Sequence, residues 1–132
     1  MAVMAFHFLL RIDEAFRLLQ GRVRVERETL KITICGQKTE RKGVWVDREQ
    51  GCGCVHDRGL CPLHTMEAFL QSLPSHRKGP EKLVFKGSYR EALAELRQML
   101  DEVGVVTVRE GLERFGFHSL RRGGTQALAR AG

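Results

Sequence analysis

The spacing of hydrophobic residues changes from helical to alternating along the first third of the chain. Within Met4–Gln20, apolar residues recur three and four positions apart, which predicts one amphipathic helix. Thr29–Cys35 alternates and is rich in β-branched residues, so it predicts a strand, and Val23–Glu26 predicts a shorter one. Val44–Val46 would return beside them after a polar turn. We therefore expect an antiparallel β-hairpin with basic residues at its tip.

The rest of the chain shows three helical patterns. Pro62 suits a first helical position and opens a predicted helix that runs to about Leu73. Ser88 and Glu91 form a capping-box pair before a long amphipathic helix, and a last helix is expected from about Ser119. The expected buried stripe of the long helix is Leu93, Leu96, Met99, Leu100 and Val103. This order predicts an α+β fold, mainly helical with a small antiparallel sheet, in one domain over residues 1–132.

The net positive charge of the chain favours an anionic partner but does not by itself establish one. Lys and Arg number 22 against 16 Asp and Glu, a net charge of +6. The basic residues are concentrated in residues 37–48 and 106–132. A polyanion is one interpretation, and a solvated basic surface is the other. The pattern contains no glycine-rich nucleotide-binding loop.

The apolar start, Met1–Leu10, does not have the pattern of a signal peptide or a membrane span. It has no basic residues before the apolar run and no small-residue cleavage site, and Arg11 ends it too early to cross a bilayer. We expect an intracellular protein, cytoplasmic or nuclear, with no membrane partner.

The C-terminal segment carries the strongest chemical pattern. His118 and Arg121 are three residues apart, so they share one face of a helix, whose first N–H groups can also hold an anion. Gly123 and Gly124 each cost a helix about 1 kcal/mol relative to Ala, which usually signals close approach by another backbone. A basic surface helix with a flexible glycine pair explains the residues equally well.

This segment, FGFHSLRRGGTQALARAG, resembles the His-x-x-Arg box of the tyrosine recombinases, the family of phage integrases. FLLRIDEAFRLL, with Arg11 and Glu14, is similar to the first-arginine helix of that family. KITICGQKTERKG is similar to its β-hairpin, where Lys38 matches the catalytic lysine. CPLHTMEAFL and SYREALAELRQML resemble the intervening helices, so the resemblance covers nearly the whole chain.

The resemblance implies phosphodiester transesterification without a required cofactor. Arg11 and Arg121 would hold the non-bridging phosphate oxygens, since guanidinium groups bind them in a bidentate fork. His118 would hydrogen-bond the phosphate or exchange a proton with the nucleophile, and Lys38 would protonate the leaving hydroxyl. Glu14 would support the site. No metal is needed for this chemistry.

Double-stranded DNA is the expected partner, and other recombinase protomers are partners that the resemblance allows. We assign Arg41, Lys42 and Arg122 to DNA binding. The family carries a further His or Trp and then a tyrosine nucleophile beyond the box, whereas the one tyrosine here, Tyr89, precedes it. The family's N-terminal DNA-clamping domain has no match either. We therefore expect a partial catalytic domain that binds DNA and is inactive alone.

A glycine- and cysteine-rich stretch, Arg48–Cys61, is predicted to be a loop. With His64 it contains soft ligands for a tetrahedral zinc ion: Cys52, Cys54, Cys61 and His64, with His56 as a substitute. The spacing is not that of a standard zinc finger, and a Cys-Pro-x-His sequence is common at this helix start in the resembled family. Free thiols in a glycine-rich loop are the alternative. The rival function is a non-catalytic basic adaptor for DNA or protein, stabilised by zinc.

Overall fold

A three-stranded antiparallel sheet forms because β-branched residues alternate along its central strand. Leu30, Ile32 and Ile34 are buried on one face of that strand. The computed structural model describes residues 1–35, 43–54, 58–105 and 115–131, and within these ranges the fold is α+β with five helices and this sheet. The elements in chain order are α1 (Ala2–His7), α2 (Ile12–Phe16), β1 (Val23–Glu26), β2 (Thr29–Cys35), β3 (Trp45–Gly51), α3 (Pro62–Ser72), α4 (Tyr89–Glu102) and α5 (Phe117–Ala131). The predicted fold class is confirmed.

Strand β3 is longer than the sequence predicted. It pairs with all seven residues of β2, from Cys35 opposite Trp45 to Thr29 opposite Gly51. Arg48 and Gly51 were placed in a loop, and that prediction was wrong. Val46, Arg48 and Gln50 all lie on the more buried face of the strand, and the two polar residues find hydrogen-bond partners there.

The single helix predicted over Met4–Gln20 is also wrong. The chain forms α1, breaks, and forms α2. Leu9 adopts a left-handed conformation at φ 52°, which residues other than Gly rarely take. Arg11 is extended, at φ −71° and ψ 148°. Tertiary contacts override local helix propensity here, because side chains of β3 donate hydrogen bonds to the backbone carbonyls at the end of α1.

The core lies between the sheet, α1 and α3, with a smaller cluster where α1, α4 and α5 meet. In α4, Leu96 is buried and Leu93 and Leu100 pack against that smaller cluster. Met99 and Val103 are 53% and 73% exposed, so the predicted stripe was wrong at those two positions. Among the described residues, no helix combines the length and apolar character needed to cross a membrane.

Helix α5 packs on α1 through its glycine pair. A Cβ atom on Gly124 would clash with the carbonyl oxygen of Phe6 and lie 2.8 Å from Cδ2 of Leu9. At Gly123 the nearest atom would be 3.5 Å away, on the Phe6 ring. The close backbone approach that the sequence predicted is therefore confirmed at Gly124.

Candidate functional site

The C-terminal turn of α1 is held by side chains from β3. Arg48 Nη1 donates to the carbonyl oxygens of Phe8 at 2.6 Å and Leu9 at 3.3 Å. Gln50 Nε2 donates to the carbonyl oxygen of His7 at 2.9 Å. These carbonyls have no helical partner at a helix end, so the two side chains satisfy them and stabilise the chain reversal that precedes Arg11.

Glu14 connects the start of α2 to the same strand. Its side chain is 8% exposed, and Oε2 lies 4.0 Å from Nη1 of Arg48. The same oxygen accepts a hydrogen bond of 2.7 Å from the backbone N–H of Arg11. Glu14 therefore fixes the backbone at Arg11, and the supporting role in the site expected for it stays a prediction.

A cleft of about 340 Å³ lies where α1, β3 and α5 meet. Arg121 and Arg48 both line it, together with His7, Glu49 and Gln50. The Glu49 carboxylate lies 3.0 Å from Nζ of Lys31, so it is already engaged by a cation. Arg121 and Arg48 bring two guanidinium groups to one cleft, which suits a phosphate or another anion.

The other candidates on α5 are more exposed than Arg121. His118 and Arg122 are exposed, whereas Arg121 is half-buried. Ser119 Oγ accepts a hydrogen bond from the Gly116 N–H at 3.2 Å, which caps the start of the helix. The convergence of Arg11, His118 and Arg121 on one phosphate stays a prediction.

The hairpin tip that carries Lys38, Arg41 and Lys42 lies outside the described residues. The last described pair of the two strands before that tip is Cys35 with Trp45. The Arg22 guanidinium stacks over the Trp45 ring at 4.4 Å, a cation–π contact. This contact holds the start of β3 beside the turn that follows α2.

Tyr89 begins α4 and contacts the helix of the His-x-x-Arg segment. Its ring is tilted against that of Phe117, with centroids 6.2 Å apart, and the residue is 49% exposed. Phe117 itself is buried and directly precedes His118. Tyr89 is thus close to the first turn of α5, which its distance along the sequence did not indicate.

The four predicted metal ligands come together in space. Within the described residues, Cys52, Cys54, Cys61 and His64 form a group that could hold a metal ion, with their ligand atoms all within 4.8 Å of one another. His64 Nδ1 lies 2.9 Å from Sγ of Cys54, 3.3 Å from Sγ of Cys61 and 3.8 Å from Sγ of Cys52. We call these four residues the cysteine cluster. His56, the proposed substitute, lies outside the described residues.

The thiols of the cysteine cluster differ in acidity. Burial opposes ionisation of Cys61, but hydrogen bonds from the His64 backbone and ring and from the Gly53 N–H prevail and lower the pKa of this thiol to about 6. Burial, followed by interactions with Cys52 and Cys61, raises the pKa of Cys54 to about 12. One thiolate is thus favoured, and its negative charge opposes ionisation of its neighbours.

Sequence reasoning missed His7, Arg48 and Gln50, although all three line the cleft. The sequence did contain a signal for Arg48 and Gln50. Residues 46, 48 and 50 continue the two-residue period of the strand, which would have placed all three side chains on the same face of the sheet. His7 lies within the helix predicted over Met4–Gln20, where no chemical role was expected for it. Its Nε2–H donates to the Leu60 carbonyl at 2.9 Å, which links α1 to the segment before α3.

Comparison with known proteins shows the fold. No protein-family model matches the sequence, and no curated protein matches it. The XerH site-specific recombinase bound to difH substrate, in a pre-cleavage complex, matches with a TM-score of 0.68 and 16% identity, over 98% of this chain and 34% of that chain. The same recombinase bound to palindromic difH substrate, in a post-cleavage complex, matches with a TM-score of 0.64 at 16% identity, over 98% and 34% of the two chains. This chain therefore spans about a third of the length of those recombinase chains and has the fold of the corresponding part.

Proposed function

We propose that this chain is a DNA-binding part of a tyrosine-recombinase catalytic domain, with a role in DNA recombination and integration. The observation that carries the proposal is the cleft at α1, β3 and α5, where Arg121 of the His-x-x-Arg segment lies beside Arg48. The recombinase fold and the resemblance of the segment around Arg121 support the same conclusion.

The chemistry of the proposed site is phosphate recognition. Transesterification of a phosphodiester builds negative charge on the non-bridging oxygens, and preorganised guanidinium groups stabilise that charge. We assign this role to Arg11 and Arg121. His118 would hydrogen-bond the phosphate or move a proton at the nucleophile, and Lys38 would protonate the leaving hydroxyl.

Arg48 has a positioning role in this proposal. It donates to the carbonyls of Phe8 and Leu9, three and two residues before Arg11, and its Nη1 lies 4.0 Å from Oε2 of Glu14. Through these contacts β3 sets the backbone from which the Arg11 side chain extends.

Duplex DNA is the proposed ligand, and the hairpin tip and α5 would contact its backbone. Arg41, Lys42 and Arg122 are the further residues that we assign to this contact. Phosphate contacts of this kind give weak binding without sequence preference, with a dissociation constant on the order of 10⁻⁴ to 10⁻⁶ M at physiological salt. Contacts with other recombinase protomers are part of the proposal for the whole protein.

A titration of labelled duplex by fluorescence anisotropy tests the proposal. We expect affinity to fall steeply as salt rises from about 50 to 200 mM, because bound phosphates release counterions. Duplexes of unrelated sequence should bind alike. Affinity that does not change with salt would contradict phosphate binding.

The cysteine cluster favours a second candidate, a zinc-stabilised basic adaptor without catalysis. A group of three thiols and an imidazole is not needed for phosphoryl transfer by the arginine site. An adaptor that binds protein would show no salt-dependent affinity for duplex DNA. An adaptor that binds DNA through a general basic surface would lose similar affinity on removal of any exposed arginine, not Arg121 in particular.

A further inference from the structure

We propose that Cys52, Cys54, Cys61 and His64 bind one zinc ion in a closed, four-coordinate structural site. The ion would join the end of β3 to the first turn of α3. This inference stands apart from the proposed recombinase function, and neither requires the other.

The first argument is the geometry of the cysteine cluster. In a tetrahedral site with Zn–S near 2.3 Å and Zn–N near 2.0 Å, ligand atoms are separated by roughly 3.4 to 3.8 Å. The distances of 3.9 Å from Cys61 Sγ to Cys52 Sγ, 3.8 Å from Cys52 Sγ to His64 Nδ1 and 3.3 Å from Cys61 Sγ to His64 Nδ1 are close to this range. All four ligand atoms lie within 4.8 Å of one another. The 2.9 Å edge between Cys54 and His64 needs only a small rotation of either side chain. The Cys52 and Cys61 sulfurs are far beyond disulfide bonding distance.

The second argument is how the backbone positions the ligands. Cys61 is the N-cap of α3, and His64 follows three residues later on the same face of its first turn. Cys52 and Cys54 follow the last residue of β3 and are placed by the hydrogen bond of 2.8 Å from the Cys52 N–H to the Glu28 carbonyl. The first turn of α3 therefore presents Cys61 and His64, and the hydrogen bond beside the end of β3 places Cys52 next to them.

A third observation concerns the surroundings of the sulfur atoms. The Gly53 N–H donates to Sγ of Cys61 at 3.3 Å, which is the type of contact that stabilises a metal-bound thiolate. Cys61 is 1% exposed, and Cys52 and Cys54 pack against the main core. Cys61 is thus shielded from water, whereas the other three ligands are half-buried.

The donor set selects zinc and a structural role. Thiolate and imidazole ligands in a tetrahedron suit Zn²⁺, and four protein ligands leave no open position for a substrate. With three thiolates and a neutral imidazole bound to the ion, the whole site would carry one net negative charge. The ion would lie next to Leu60, whose carbonyl oxygen accepts a hydrogen bond from His7 of α1. It would therefore also stabilise the packing of the segment before α3 on α1.

Metal analysis of the full chain tests the inference. Protein purified under reducing conditions, without chelator or a metal-affinity tag, should contain about one zinc per chain by mass spectrometry of the elements. Cys54→Ser and His64→Asn should each lower this to less than about a tenth of an equivalent. Cys35→Ser removes the fourth cysteine, which lies at the end of β2 outside the cluster, and should retain the full equivalent.

A cobalt measurement on the unaltered chain keeps the test independent of variant folding. Chain loaded with Co²⁺ in place of zinc should show the intense visible bands of a tetrahedral ion and a near-ultraviolet thiolate charge-transfer band. Less than a tenth of an equivalent of zinc with no such bands would overturn the inference. Equal loss of metal in Cys35→Ser and Cys54→Ser, or iron in place of zinc, would overturn it too.

Discussion

Gly124 of α5 lies against the Phe6 carbonyl of α1 so closely that a Cβ atom at this position has no room. Gly123, one residue earlier, faces only the edge of the Phe6 ring at 3.5 Å. The pair therefore contains one glycine required by packing and one that is not. The contact fixes α5, and with it Arg121, on α1.

We expect Gly124→Ala to lower the free energy of unfolding by about 1 to 3 kcal/mol, because the added methyl group would push α1 and α5 apart. Gly123→Ala should be neutral or stabilising by up to about 1 kcal/mol, since Ala is the better helix former. Urea denaturation of both variants measures the difference. Equal effects of the two substitutions would contradict the assigned helix contact.

Removing the side chain that holds the end of α1 should also destabilise the protein. Arg48→Ala leaves two carbonyls and the largely buried Glu14 without this donor, and a lost partner of this kind costs about 1 to 3 kcal/mol. Arg90→Ala, at an exposed position of α4, should change stability by less than about 0.5 kcal/mol. Thermal melts of the two variants provide the measurement. If Arg48→Ala melted like Arg90→Ala, the role of Arg48 at this turn would be refuted.

The N-terminus of α4 should show a pH-dependent contribution to stability. Hydrogen bonds from the Ser88 backbone and hydroxyl lower the pKa of Glu91. A carboxyl with a lowered folded pKa stabilises the fold above its unfolded pKa and loses that effect as pH falls through the folded value. Ser88→Ala should cost about 1 kcal/mol near neutral pH, through loss of the cap.

The stability difference between the unaltered chain and Ser88→Ala should therefore shrink as the pH falls below the ordinary range of a glutamate. Denaturation at a series of pH values measures it. Glu91→Gln serves as the control, because it should be destabilised near neutral pH and show less change on acidification. A difference that grows in acid would have the wrong sign for this account.

The 132-residue chain should form no covalent complex with DNA. Its tyrosine, Tyr89, lies at the start of α4, and its ring packs against the ring of Phe117 at the start of α5. We expect that an in-line attack at the cleft of Arg48 and Arg121 would require this contact to break. A nicked duplex that traps covalent adducts, run on a denaturing gel, is the assay. An adduct that disappears in Tyr89→Phe would show that the nucleophile had been misassigned.

Elements with a strong internal pattern could be predicted from the sequence. The alternation of Thr29–Cys35 identified β2, and the Ser88 and Glu91 pair located the start of α4. Gly124 indicated a close helix contact. In each case the structure depends on interactions between residues close in the sequence, or on a property of one residue type.

The break between α1 and α2 could not be predicted in this way. It depends on Arg48 and Gln50, about forty residues further along, which supply the hydrogen bonds that a continuous helix would have made internally. The exposure of Met99 and Val103 likewise depends on what packs on α4, which periodicity does not specify. The cysteine cluster was predicted as a ligand set, whereas its compact geometry needed the fold.

The central claim, that the Arg121 cleft binds DNA phosphate, is tested most directly by a matched pair of substitutions on one helix. Arg130 is exposed and lies nine residues after Arg121, about 180° around α5. In anisotropy titrations at several salt concentrations, Arg121→Ala should weaken duplex binding and reduce the slope of log affinity against log salt by about 1. Arg130→Ala should leave both quantities unchanged. Equal losses in the two variants, or none in Arg121→Ala, would contradict the claim.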